Sequence, residues 1–335
     1  MKKSYSAHVK SINFVILGDY NRLASELGKK GTTTDLAIYD RKTADVIYTW
    51  TAPITFPDKI QSLMQSVNIA EYAILNITKI DKYLGEQIIA LDSVNFKDGF
   101  ILHSYEVDEE KLKTLIKNTS VSHFKFLDNI DQLKQEMSKL ESKGYIDGPI
   151  VIPIDHAFDV KGVGTVVLGV VKQGAVRVYD QLKIMPGGKD IVVKSIQMHD
   201  DPIDESNSPA RVGLAIKGMT AEQISRGDIL CSADPSPSYL KVVSAATVAT
   251  ADSASTISST KFVKNSYYKG DLAENQTYLV SVGLQIKPVR LKLLDGLVVE
   301  IIPENKPIVF FPGQTYVLLK PDSHGTRIIG KGLLN

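Results

Sequence analysis

The chain has 335 residues, enough for two or three domains, and its 43% hydrophobic and 23% charged content is that of an ordinary folded protein. With 39 Lys+Arg against 38 Asp+Glu the formal charge is +1, so any nucleic-acid partner must meet a local basic patch rather than a global field. One cysteine, Cys231, rules out an internal disulfide, and neither the basic start MKKSYSAHVK nor any apolar run has the length of a signal or membrane segment; a cytoplasmic setting is expected.

The run INFVILG (12–18) is short, apolar and closed by glycine, as a buried strand would be. A strand running into glycine is how a phosphate-binding loop, G-x-x-x-x-G-K-[ST], begins. Gly18 is present and Ser25 falls on the Ser/Thr position, but Leu23 and Ala24 stand where Gly and Lys belong. Lys29 lies eleven residues beyond Gly18 and reads as a solvated turn lysine. Residues 35–50 predict two strands around a polar turn at Asp40 to Thr43. The stripe Ile60, Leu63, Met64, Val67 predicts a helix over 58–67, followed by a strand at 72–78, a helix at 81–93 and a strand at 99–104. Residues 108–118 carry acids first and lysines later, which suits the helix dipole. A strand at 123–127 and a helix at 128–144 complete the series. Strands alternating with helices predict a P-loop-like α/β domain with a mainly parallel sheet over residues 1–145.

From GYIDGPIVIP (144–153) onward the helical period gives way to short alternating runs punctuated by Gly, Pro and Asp/Asn. Two all-β barrels are expected, at 146–236 and 237–335, divided near SADPSPSY (232–239). Asp295-Gly296 between two β-rich runs predicts a hairpin. Gly162 and Gly164 bracket a bend that calls for positive φ.

The middle region carries a long gapped pattern: Phe158, Gly162, Gly164, Thr165, Gly169, Gly174, Asp180, Pro186, Arg211, Gly213, Arg226, Gly227 and Asp228. It resembles the second domain of the translational GTPases, most of all the selenocysteine factor SelB and then EF-Tu. The ending GTRIIGKG (325–332) is similar to the end of their third domain. The resemblance is strong over 150–230 and faint over 1–145. It implies an elongation-factor architecture of archaeal style, without the mRNA-binding extension of bacterial SelB, and a specialised aminoacyl-tRNA such as selenocysteyl- or pyrrolysyl-tRNA as cargo. No residue shows that last specificity.

The family hydrolyses GTP with five short motifs, and four of them do not survive here. KKGTTTD (29–35) is similar to the switch segment and puts Thr33 on the Mg²⁺-binding threonine. Ala52 to Phe56 replace the metal-binding Asp and the water-positioning His. After GFIL, the chain reads His103 to Val107 where the guanine-reading Asn/Thr-Lys belongs, and Asp108 comes one place late. Leu127-Asp128-Asn129 replaces the last motif. Gly18 and Thr33 are thus the vestiges of a nucleotide site. No catalytic residue, no resident metal and no meaningful GTP hydrolysis are expected, with GTP and Mg²⁺ as cofactors only if the degenerate site still binds.

What remains is a binding role in translation, with aminoacylated tRNA and the ribosome as partners and no membrane. By the resemblance, Asp155, His156 and Phe158 match the aminoacyl pocket of the family, and Arg211 matches an arginine near the aminoacyl group in SelB. His156 departs from the acid of EF-Tu. Residues 241–335 hold 11 Lys+Arg against 7 Asp+Glu, a balance of +4. Within them Lys264, Tyr267, Tyr268 and Arg327 mix cations with rings, as phosphate contact and base stacking require. Two other readings stand beside this one: a divergent factor that still binds GTP, and a non-catalytic regulator of translation factors. A monomer is expected. The six histidines show no metal-ligand spacing, and HDDPIDE (199–205) reads as a solvated loop.

Overall fold

A computed structural model describes residues 9–143, 146–233, 239–244, 257–274, 276–294 and 298–335. Three sheet systems follow one another along the chain.

The first is a seven-stranded sheet in the order β2-β3-β4-β1-β5-β6-β7. Its strands are β1 (Lys10–Gly18), β2 (Lys29–Thr33), β3 (Leu36–Lys42), β4 (Val46–Pro53), β5 (Tyr72–Ile77), β6 (Gly99–His103) and β7 (Lys125–Leu127). From β4 to β7 every pairing is parallel, while β2-β3-β4 is an antiparallel flank. Its helices are α1 (Tyr20–Leu27), α2 (Ile60–Ile69), α3 (Lys82–Ser93), α4 (Glu109–Ile116) and α5 (Ile130–Ser138). Alternation along β1 sends Ile12, Phe14 and Ile16 to the α1/α5 face, and Val15 and Leu17 to the α2/α3 face. The expected mainly parallel sheet with both faces covered is present.

Three local expectations change. The polar turn falls after Lys42, so Asp40 and Arg41 continue β3. The last helix ends at Ser138. Lys29 is solvated as expected but opens edge strand β2 instead of sitting in a turn.

The second system is a barrel of β8 (Val151–Val160), β9 (Gly164–Val170), β11 (Gln181–Met185), β12 (Lys189–Met198), β15 (Arg211–Lys217) and β16 (Ile229–Ser232), closed by β11 pairing with β12. Short strand β13 (Asp201–Ile203) extends β12, and β10 (Ala175–Arg177) pairs with β14 (Glu205–Asn207). HDDPIDE is therefore largely strand rather than loop, and its turn residues His199 and Asp200 have φ of 52° and 64°. Gly162 and Gly164 have φ of 82° and 99°, as the bend requires.

The third is a closed barrel, β18-β21-β20-β19-β23-β24, formed by β18 (Ile257–Lys264), β19 (Tyr278–Val282), β20 (Gln285–Leu294), β21 (Val298–Pro303), β23 (Thr315–Leu319) and β24 (Ile328–Leu334). A separate pair joins β17 (Lys241–Val243) to β22 (Ile308–Phe310). β20 and β21 pair as a hairpin would, but Asp295-Gly296 lie outside the described residues, as does most of SADPSPSY. Among the described residues no helix is long and apolar enough to cross a membrane.

The three systems share contacts rather than merely touching. The α2/α3 core runs on into Val317, Leu319 and Ile328 of the third barrel. Val151, Ile229 and Cys231 of the second barrel pack with Leu240 and Val309.

Candidate functional site

In an open α/β sheet a ligand is expected outside the carboxyl ends of the strands where the order reverses, which here is beside β1. A cleft of about 320 Å³ lies there, lined by Gly18, Asp19, Asn76, Thr78, Lys79 and Asp81 among others. A phosphate-binding loop needs several consecutive backbone N–H groups turned toward one anion. Here β1 ends at Gly18 and α1 starts at Tyr20, so one residue, Asp19, joins them. Its N–H is already spent on Asn76 O at 2.8 Å, and Asn76 Nδ2 donates to Asp19 O at 2.5 Å. Gly18 adopts φ of 81°, and a Cβ there would lie 2.1 Å from Asn76 O. Its freedom serves this close approach of β1 to β5. The charges of the cleft are also ill-suited to a triphosphate. Asp81 caps α3 by accepting from Tyr83 N and Leu84 N, and its other oxygen holds Lys79 at 3.1 Å. Burial works against ionising Asp81, but those N–H groups and Lys79 keep its pKa below the ordinary value.

Thr33 lies on β2, exposed, at the same end of the sheet as Gly18 but three strands away, about 14 Å at usual strand spacing. The two vestigial residues are not brought together. Asp108 caps α4 through Lys111 N, and Tyr105 beside it is 93% exposed.

The second-barrel candidates do converge. Asp155 is fully buried on β8. Its Oδ1 accepts from His156 Nδ1 at 2.6 Å and Arg211 Nη2 at 3.0 Å, and its Oδ2 accepts from Arg211 Nη1. Burial alone would raise the Asp155 pKa. The Arg211 guanidinium and the His156 hydrogen bond outweigh it and bring the value down to about 2. His156 Nε2, on the other side of the ring, lies 2.9 Å from Thr34 Oγ1 and 3.4 Å from Arg226 Nη2. His156 and Arg211 are thus buried parts of a bonded network. Phe158, two residues on and facing the same way, is 41% exposed.

Arg226 is the hub that sequence reasoning passed over. It sits in the matched Arg226-Gly227-Asp228 pattern, yet its partners are distant in sequence. Its Nε donates to Asp155 O at 2.9 Å, and its Nη1 to Asp35 Oδ2 at 2.6 Å and Gln65 Oε1 at 3.0 Å. Its Nη2 donates to Thr34 Oγ1 at 3.2 Å. One guanidinium thus ties the β2–β3 connection and α2 to the second barrel. Beside this knot a cleft of about 270 Å³ runs between β2 and the barrel, lined by Lys29, Lys30, His199 and Arg211. His199 Nε2 lies 3.3 Å from Asp40, and Lys42 is paired with Asp201.

The third-barrel candidates part company. Tyr267 is 56% exposed, whereas Tyr268 is 6% exposed, so its ring belongs to the barrel core. That burial removes it as a stacking surface. Lys264 Nζ is 5.6 Å from the Tyr268 ring and 3.7 Å from Asp271. Arg327 is not a surface cation. It is 12% exposed and grips Glu86 of α3, with Nη2 to Oε2 at 2.5 Å and Nε to Oε1 at 3.0 Å, and its Nη1 donates to Pro57 O at 2.7 Å. Among the described residues no group of three or more His, Cys, Asp or Glu could hold a metal ion.

Comparison with known proteins agrees with this architecture. The family Elongation factor Tu domain 2 matches residues 164–231. An uncharacterized protein of Methanocaldococcus jannaschii is 38% identical over 220 residues, 65% of this chain and 71% of the relative. The selenocysteine-specific elongation factor of the same organism is 30% identical over 241 residues, 65% of this chain and 51% of that protein. The chain therefore spans about half the length of that factor. The crystal structure of translation elongation factor SelB from Methanococcus maripaludis with a GTP analogue superposes with a TM-score of 0.81 at 23% identity, over 98% of this chain and 80% of SelB. That likeness speaks to the fold. The barrel pattern, with the domain-2 match and the selenocysteine-factor relative, makes this chain SelB/EF-Tu-like, a relative of the translational GTPases.

Proposed function

We propose that the protein is a translation factor that binds the aminoacylated end of a tRNA between the first sheet and the second barrel, without hydrolysing GTP. The single observation behind this reading is the contrast between the two clefts. At the strand ends the chain offers one connecting residue, whose N–H is already used, and an acid-capped helix. At the junction it keeps a buried Asp155–His156–Arg211 cluster with exposed Phe158 beside it. A preorganised buried polar cluster next to an exposed ring suits recognition of a polar chain end with an apolar side chain. Lys29 and Lys30 on the rim supply phosphate contacts. Cytoplasmic location and contact with tRNA or the ribosome follow the habit of the family.

The test is a filter-binding titration with aminoacylated and deacylated tRNA in rising salt, beside calorimetry with GTP and Mg²⁺. The reading expects preference for the aminoacylated form, affinity that falls with salt, and no Mg²⁺-dependent GTP heat. Equal affinity for both tRNA forms, or tight Mg²⁺-dependent GTP binding, overturns it.

A further inference from the structure

A third cleft adjoins the strand-end cleft, sharing Pro57 and Tyr83 with it, and lies away from the Asp155 cluster. It has a volume of about 550 Å³ and opens between α3 and the 320–327 segment of the third barrel. Sites for small organic ligands commonly occupy about 300–1,000 Å³. Glu86 is the one acid lining it, and Arg327 already takes up both of its oxygens. The remaining charged or basic groups at the rim are Lys82 and His324. Lys82 Nζ lies 5.0 Å from the Tyr83 ring, and no carboxylate among the described residues pairs with it. One wall is apolar, with the partly buried Ile89 and Leu115, and Tyr267 lines the cleft from the third barrel. Tyr267 is more than half exposed, although such a ring usually gains by being covered.

The combination is a cleft with an apolar wall, an aromatic ring and basic groups at its rim, and among the described residues its one acid, Glu86, is taken up by Arg327. We propose that this cleft binds a nucleotide unit, with its base on Tyr267 and the Ile89/Leu115 wall and its phosphate at Lys82 and His324. The unit is either a free mononucleotide or an unstacked nucleotide of an RNA, since both present the same base and phosphate. Its cations Lys82 and His324 do not line the strand-end cleft, whose acids are Asp19 and Asp81, and the site does not depend on tRNA binding at the second barrel.

The test is calorimetry of the full chain with AMP, GMP and a short adenylate RNA in EDTA, with ribose 5-phosphate as the control that lacks a base. Saturable binding of a nucleotide but not of the control is expected. Tyr267→Ala should weaken it about tenfold, the usual worth of one stacked base. Lys82→Ala with His324→Ala should weaken it and flatten its salt dependence. All three side chains are exposed, so the variants keep the fold. An RNA that binds at least about tenfold tighter than AMP and is displaced by it identifies RNA as the source, because neighbouring phosphates add affinity; equal affinities identify the free nucleotide. No saturable binding at millimolar ligand, or binding that both variants leave unchanged, overturns the proposal. In a second titration with Mg²⁺ in place of EDTA, binding that appears only there and ignores Tyr267→Ala overturns it and the reading of the strand-end cleft together. Loss of aminoacyl-tRNA binding alone would overturn only the latter's companion claim at the second barrel.

Discussion

Asp155→Asn should cost about 2 kcal/mol at pH 7. The native carboxyl titrates at about 2 against an ordinary 3.8, and each pKa unit is worth about 1.4 kcal/mol. The sign follows from the direction. A group held below its ordinary pKa stabilises the fold above pH 4, and that contribution disappears as pH falls toward 2. The asparagine variant has no such proton to lose. The measurement is urea unfolding of both proteins from pH 7 down to 2.5, followed by circular dichroism and by fluorescence of Trp50, the one tryptophan, which is fully buried. The gap between them should stay constant down to about pH 4 and then close. A gap under about 0.5 kcal/mol at pH 7, typical of an uninvolved surface site, would refute the claim that Arg211 and His156 outweigh burial. So would a gap that does not shrink in acid.

Three further outcomes follow from the contacts. Arg327→Ala leaves the buried Glu86 charge with only the backbone N–H of residue 327 as a partner and should cost about 3 kcal/mol in the same unfolding assay, whereas Arg327→Met combined with Glu86→Leu should come within about 1 kcal/mol of the parent. Gly18→Ala drives a Cβ into the Asn76 carbonyl at a positive φ and should lower the unfolding free energy by about 2 kcal/mol or more. The Cys231 thiol is fully buried, and burial pushes its pKa up to about 11. Iodoacetamide at pH 8 should therefore leave native protein unlabelled by mass spectrometry and label it fully in urea.

The parts of this fold that depend on neighbours in sequence were legible. The stripe Ile60, Leu63, Met64, Val67 and the apolar runs at 72 and 99 name their elements because each buries a face by its own period. Helix α1 was hidden by the glycine before it. Leu23, Ala24 and Leu27 form a helical stripe, but the Gly18 context suggested a loop. The adjacent tyrosines 267 and 268 carry identical chemistry, and only the turn decides which one enters the core. The junction was the least legible. Arg226 meets residues 34, 35 and 65, and Arg327 meets residue 86. No local pattern announces partners so far away. Arg327 had the composition of an RNA contact and is instead a buttress between α3 and the third barrel.

The single-residue step from β1 into α1 has a consequence for timing. On the reading proposed above, a segment that short has no slack with which to register whether anything sits at the strand ends, and so it would offer no clock. A carrier built this way would let its cargo go at a rate set by the contacts themselves, or when a larger machine pulls it away. Its residence time would be written into the second-barrel junction and nowhere else in the chain.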